Sequence, residues 1–419
     1  MKMDRLLLAS VGLLAGMAGA RAADAVVMVE PEPVDFVRVC DVYGTGYFFI
    51  PGTETCLRIG GYVRMRLNAN SQEYTRASDL DGPEDYAFAS KVRVRLEFDT
   101  REDTELGTLR AKARVQSTNT GSSSSGYTMD EGFIQLGGLT IGHLDSAWTY
   151  NDGGIEDGLL VDDDSDFAAG DINANRISYT ASAGGFSAVL SLEDDGDGDI
   201  RPDAIGKLTY KGDWGGAYVM GVYDEDAQTE VNRRRGVDPL GDDAVYSFGK
   251  NGVDGEDGAV VVKAALLLSD PFAPKSSLKV EGHYAFDPSI YAVVGDLGQS
   301  SIFGSNDFNQ TGATGTNGGN LTLSSEWQIG AAYKQGFGKI SATLAGLYGE
   351  TFDLDASSPG FSYGQIGSIE YWGTVGEVGY AVTKNFSVLG QVSYVDLELP
   401  SAIDDFDQTR GFVEFKRTF

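Results

Sequence analysis

The densest run of chemically capable side chains is Asp145–Asp171, DSAWTYNDGGIEDGLLVDDDSDFAAGD. It carries Asp145, Asp152, Glu156, Asp157, Asp162, Asp163, Asp164, Asp166 and Asp171, with no lysine or arginine. Like charge at this density stays solvated and self-repelling unless something offsets it. Trp148, Tyr150, Ile155, Leu159, Leu160, Val161 and Phe167 are set among the acids, and a purely solvated loop has no need of them. An acidic loop with apolar anchors is built to fold back onto a surface. A positive surface lies upstream, in Ile59–Asn68, Phe88–Asp99 and Leu109–Gln116. There Arg64, Arg66, Arg93, Arg95, Arg110, Lys112 and Arg114 alternate with Val, Met, Leu, Ala and Phe. The chemistry expected of this pairing is electrostatic rather than covalent: a pore with arginines on one side and Glu156, Asp157, Asp162, Asp163, Asp164 and Asp166 on the other.

Strict period two means strands, with one apolar face and one charged face. Like charges on neighbouring strands repel, so a wall of seven cations needs water or an opposing negative surface. Strand starts are expected near Ile59, Phe88, Leu106, Tyr127, Leu139, Asn175, Phe186, Asp203, Trp214, Gly258, Ser277, Ser325, Phe337, Ser368, Lys384 and Asp407. The periodicity blurs around Trp214–Tyr223 and Ser368–Tyr380. Long polar connections (69–87, 145–172, 224–257, 287–324 and 350–367) follow odd-numbered strands, and brief ones such as Gly137-Gly138 follow even-numbered strands. A soluble sandwich has no reason to sort its loops by parity, whereas outer-membrane barrels do so. The expected fold is therefore all-β: a transmembrane antiparallel barrel of sixteen strands, with the third outer loop folded into the lumen.

Composition agrees. No run of about 18 apolar residues follows the first 22, and a barrel conceals its spans because lipid-facing and lumen-facing residues alternate. Fifty-six glycines, twenty tyrosines and two histidines suit strands and turns. MKMDRLLLASVGLLAGMAGARA, residues 1–22, reads as a cleaved secretory signal with Ala20-Arg21-Ala22 as its exit site. Removing it makes the net charge of −30 more negative still, which leaves no nucleic acid among the expected partners. Cys40 and Cys56, the only cysteines, fall in the exported part and are expected to pair, within a periplasmic segment 23–58 ahead of a barrel over 59–419. The final strand GFVEFKRTF places Phe415 and Phe419 on one face, an ending like the signal read by the barrel assembly machinery.

VCDVYGTGYFFIPGTETCLRIGGYVR, at Val39–Arg64, resembles the opening of the alphaproteobacterial porins of the rhizobial and Brucella type. FIQLGGLTIGHLDS, at Phe133–Ser146, is similar to that family's approach to its pore-narrowing loop. The resemblance runs through the mature chain, is strongest up to about Tyr179, and is vague in the outer loops. It implies a homotrimer of sixteen-stranded, water-filled diffusion channels among outer-membrane lipid and lipopolysaccharide.

Other signals lead elsewhere. Asp195-Gly-Asp197-Gly-Asp199 begins like a calcium loop, but its sixth and twelfth positions are Ile200 and Gly206 rather than glycine and glutamate. Weak cation bridging to lipopolysaccharide is the most such a loop implies. His143 and His283 have no triad setting. Arg233-Arg234-Arg235 and GATGTNGG read as outer-loop features. No catalytic, cofactor-binding or metal-binding residue is expected. The leading function is a general porin passing ions and small hydrophilic solutes; the alternative is a channel specific for sugars or organic acids, which tends to need an aromatic track.

Overall fold

The structure, a computed structural model, describes residues 38–71, 86–123, 125–151, 154–161, 167–194, 200–225, 231–233, 245–248, 258–294, 323–358, 361–398 and 406–419. Period-two alternation becomes one continuous ladder. Its strands are β1 (Cys56–Ser71), β2 (Tyr86–Thr104), β3 (Gly107–Thr120), β4 (Thr128–Leu136), β5 (Leu139–Asp145), β6 (Asn173–Ala183), β7 (Phe186–Asp194) and β8 (Asp203–Gly212). Then come β9 (Gly215–Asp224), β10 (Ala259–Ser269), β11 (Ser276–Ala285), β12 (Leu323–Phe337), β13 (Ile340–Thr351), β14 (Glu370–Thr383), β15 (Phe386–Glu398) and β16 (Phe406–Thr418). Each pairs antiparallel with the next, and β16 pairs with β1, so the sheet closes. Closure satisfies every strand edge, as a sheet in lipid requires.

The expected sixteen strands are all present, and the parity of the connections holds. Glu105-Leu106, Gly137-Gly138, Gly184-Gly185, Asp213-Trp214, Gly338-Lys339 and Lys384-Asn385 are two-residue turns at one end of the barrel. The long loops leave from the other end. The first strand begins at Cys56, ahead of the expected Ile59.

Side chains alternate as lipid outside and a packed lumen demand. On β7, Phe186, Ala188, Leu190 and Leu192 are exposed, while Ser187, Val189, Ser191 and Glu193 are buried. Aromatic rings belt the outer face of β6–β15. Phe186, Tyr210 and Trp214 cluster near the short turns. Tyr284–Phe286, Trp327–Tyr348 and Trp372–Tyr394 pair near the long loops. Amphipathic rings prefer these two interfaces.

The two stretches of blurred periodicity are complete strands, β9 and β14. Their inner residues Tyr218, Met220, Val222, Tyr371 and Val375 belong to the same buried cluster as the third loop's anchors. A strand apolar on both faces loses its period-two signal, which is why the sequence was ambiguous there.

Smaller elements dress the loop end. A four-stranded sheet joins the fifth and seventh loops, with Val245–Phe248 paired to Leu354–Ser358. The sixth loop contains a 3-10 turn, Ile290–Ala292, capped by the Ser289 side chain, which accepts from the Tyr291 N–H.

Candidate pore constriction

The basic wall is set by β1–β3. Val63 and Met65 are exposed, so the alternate positions Arg64 and Arg66 point inward and are buried. Register carries the same face across to Arg93 and Arg95 on β2 and to Arg110, Lys112 and Arg114 on β3. A cation facing lipid at mid-membrane costs roughly 2–4 kcal/mol, so the inward direction is strongly enforced.

The wall brings carboxylates of its own, which the sequence reading did not single out. Asp99 on β2 accepts from Arg110 at 2.9 Å, Arg101 at 3.3 Å and Arg58 at 3.5 Å. Glu131 on β4 pairs with Lys112 at 2.7 Å and Arg114 at 2.6 Å. Asp130 pairs with Arg114 and, at 3.3 Å, with Arg95. Glu414 on β16 holds Arg66 at 2.7 Å and Arg64 at 3.4 Å. Part of the offset expected from the acidic loop alone thus comes from within the wall. Only strand register, which one sequence does not display, would have revealed these partners.

The third loop, Ser146–Ile172, docks on the other side. Trp148, Ile155, Leu159, Val161, Phe167 and Ala169 are buried against Ile205, Tyr218, Met220, Val261, Ala265, Leu347 and Val375. Those residues lie on β8–β14, and in a ring of sixteen β10 is halfway round from β2. The small residues of that arc make room: a Cβ on Gly330 would meet Leu159, and one on Gly373 would meet the Phe167 ring at 3.0 Å.

Polar contacts from four lysines fix the loop. Lys207 donates to the Tyr150 carbonyl at 2.9 Å and Lys211 to the Gly154 carbonyl at 2.8 Å. Lys263 donates to Asp157 Oδ1 at 2.7 Å and lies 4.3 Å from the Trp148 ring centroid. Lys279 donates to the Glu156 and Gly158 carbonyls, and Glu281 accepts from the Gly158 N–H at 3.0 Å. The Tyr218 hydroxyl lies between Asp157 and Glu281, at 3.1 and 2.5 Å. The sixth loop closes over the third: the Gly170 N–H donates to the Val293 carbonyl at 2.9 Å, and Tyr291 packs edge-on against Trp148. Burial, reinforced by Glu193 and Asp203, keeps the Tyr291 hydroxyl protonated well above the ordinary tyrosine range, and it donates to Asp203 at 2.7 Å.

The predicted acids therefore divide. Asp157 is bonded to Lys263 of β10, while Glu156 is exposed. Asp152, Asp162, Asp163, Asp164 and Asp166 lie outside the described residues, as do Asp195–Asp199, Arg234, Arg235, GATGTNGG and the expected signal at 1–22. Cys40 and Cys56 form the expected disulfide, tying a short hairpin at Phe48–Phe49 to the start of β1. Phe415 and Phe419 are exposed on the outer face, and the Phe419 N–H donates to the Gly61 carbonyl at 3.1 Å. His143 contacts Asn175 across β5 and β6, and His283 is buried inside the barrel. Lys207, Lys263, Lys279 and Glu281 were missed as anchors. The one available signal was a lone lysine inside an otherwise apolar strand, as in AVVVKAALLLS.

A family model described as porin subfamily matches residues 24–411. Porin Omp2b of Brucella canis is 39% identical over 261 residues, covering 56% of this chain and 70% of that protein. Porin Omp2b of Brucella suis is 38% identical over the same length and coverage. The outer membrane channel DcaP of Acinetobacter baumannii matches in fold, with TM-score 0.55 and 13% identity over 88% of this chain and 99% of that one. A closed sixteen-stranded barrel with an apolar exterior and a charged interior is what such a relationship requires. The chain belongs to the porin subfamily, as an outer-membrane β-barrel that forms a channel.

Proposed function

We propose that the protein works by passive, size-limited diffusion, with selection made at a charged constriction. The observation that carries this is the placement of a basic wall on β1–β3 and of the docked third loop on the arc facing it. Charge rings and constriction width set selectivity in such pores. Glu156 and the acids Asp162, Asp163, Asp164 and Asp166 form the negative side in this reading. Asp157 serves to hold the loop in place. The field between the two sides orients water and dipolar solutes and penalises apolar ones.

The working unit in this proposal is a homotrimer. In support, the Tyr and Trp rings of the belts sit on β6–β15 and the adjoining turn. Exposed positions of β1–β5 include Val63, Met65, Val92, Ala111, Ala113, Met129 and Ile134, which suit contact with protein rather than the lipid interface. Outer-membrane lipid and lipopolysaccharide then surround β6–β15, residues 23–58 lie on the periplasmic side, and Phe419 is read by the barrel assembly machinery. Purified protein in a planar bilayer tests the channel reading: stepwise conductance in KCl that is linear in voltage and does not saturate with any one sugar is expected. Silence, or block by a single sugar, overturns it.

A further inference from the structure

Where β16, β1 and β2 meet, the basic wall gathers more cations than the carboxylates paired with them among the described residues. Across β16, β1 and β2, Lys416, Arg64 and Arg93 are direct neighbours in one row of the ladder. Glu414, Arg66 and Lys91 form the next row. Strands lie about 4.8 Å apart, so three cations share a span of about 10 Å. Like charges directly opposite one another destabilise a strand pair.

Among the described residues, carboxylates reach only some of these cations. Glu414 is shared between Arg66 and Arg64. Arg93 donates to a neutral acceptor, the Thr118 hydroxyl, at 2.9 Å. Lys416 sits 5.0 Å from the Tyr62 ring centroid, and the same ring receives Arg95 at 5.2 Å and Arg64 at 5.8 Å. Among the described residues no carboxylate pairs with Arg93, Lys91 or Lys416. Around Asp99 the wall differs. There Arg58 and Arg101 close on Asp99, and the Tyr47 ring lies 5.0 and 5.4 Å from their guanidinium carbons. Lys91 is exposed and Arg93 and Lys416 are half-buried, so the uncompensated charge is within reach of solutes in the lumen.

We infer that Lys416, Arg93 and Lys91, backed by Arg64 and Tyr62, form a binding subsite for a small oxyanion carrying two negative charges, phosphate being the simplest. Guanidinium groups present paired donors that match phosphate and carboxylate geometry, and an ammonium adds a point charge. A chloride ion satisfies one cation at a time and passes; a dianion bridges two strands and dwells. The inference rests on the channel reading and adds to it a saturable step for one solute class.

The test uses the full chain in planar bilayers, in KCl at constant ionic strength and mildly alkaline pH, with inorganic phosphate added stepwise. Chloride conductance is expected to fall to a plateau as phosphate saturates the site. Lys416→Gln and Arg93→Gln should each raise the half-blocking concentration about tenfold, the size of one lost charge-assisted hydrogen bond. Lys416→Arg should restore it. Lys91→Gln, at the exposed rim, is the second variant should the others fail to insert, with heat-modifiable gel mobility reporting folding. Protein that conducts KCl but shows no phosphate plateau, or a plateau unmoved in every folded variant, overturns the subsite and leaves the channel reading standing. Protein that does not conduct KCl overturns both.

Discussion

Lys263 and Asp157 are nearly inaccessible, their side chains 1% and 5% exposed, and each is the other's charged partner at 2.7 Å. Removing one member of such a pair strands the other in a dry site, at a cost of about 3–5 kcal/mol. Lys263→Met is therefore expected to loosen the third loop and make single-channel current noisy, and adding Asp157→Asn should restore quiet steps. On the opposite wall, Arg93→Gln with Arg95→Gln should raise cation preference, read as a shift of reversal potential in a salt gradient. Charges on the two sides act on each other, and on a passing ion, only within a Debye length of about 8–10 Å. An unchanged reversal potential would show that the wall does not govern selection. At this scale the sequence was half legible. Alternation alone gave the inward direction of Arg64, Arg66 and Arg93, because a lipid-facing arginine is so costly. It did not separate Asp157, an anchor, from Glu156, an exposed acid one residue away, because both read as charge in an acidic run. The roles of Asp99, Asp130, Glu131 and Glu414 depend on which strands lie side by side, and no local window contains that.

The third loop is held as a small core laid against the barrel's inner surface. Fully burying one large apolar side chain contributes roughly 1.5–3 kcal/mol, and Trp148, Ile155 and Phe167 are all buried. Gly170 is the tightest joint: its φ is +70°, and a Cβ there would lie 2.5 Å from the Tyr291 carbonyl oxygen. Gly170→Ala should therefore part the third and sixth loops and enlarge single-channel conductance, and deletion of 147–168 should enlarge it further. Conductance unchanged by the deletion would mean that the loop does not narrow the pore. The Cys40–Cys56 bridge, with a sequence separation of 16, restricts the unfolded chain by about 3 kcal/mol in the simple entropy model. Reduction should leave conductance nearly unchanged, because the closed ladder carries the barrel; loss of channel activity would give the Phe48–Phe49 hairpin a larger part. Strands were legible wherever one face met lipid and the other met water. They blurred on β9 and β14, where the docked loop replaces water.

For the whole molecule, deleting Phe419 is expected to lower the yield of heat-modifiable oligomer in the outer membrane, measured by gel mobility before and after boiling. Normal yield would refute its role in assembly. Strand number, loop parity and closure were legible because, among the sixteen barrel strands, every neighbouring pair but one is also consecutive in sequence. The exception is β16 against β1, and it has a consequence in time. Glu414 and Arg64 are separated by 350 positions, and Glu414 and Arg66 by 348. Until the sixteenth strand meets the first, both guanidinium groups lack that carboxylate and the two sheet edges have no ladder partner. An open sheet of fifteen strands is thus not a barrel short of one stave. It is a species whose edge arginines lack the carboxylate they are to share, and the arrival of Glu414 supplies it to both in the same event that closes the ladder.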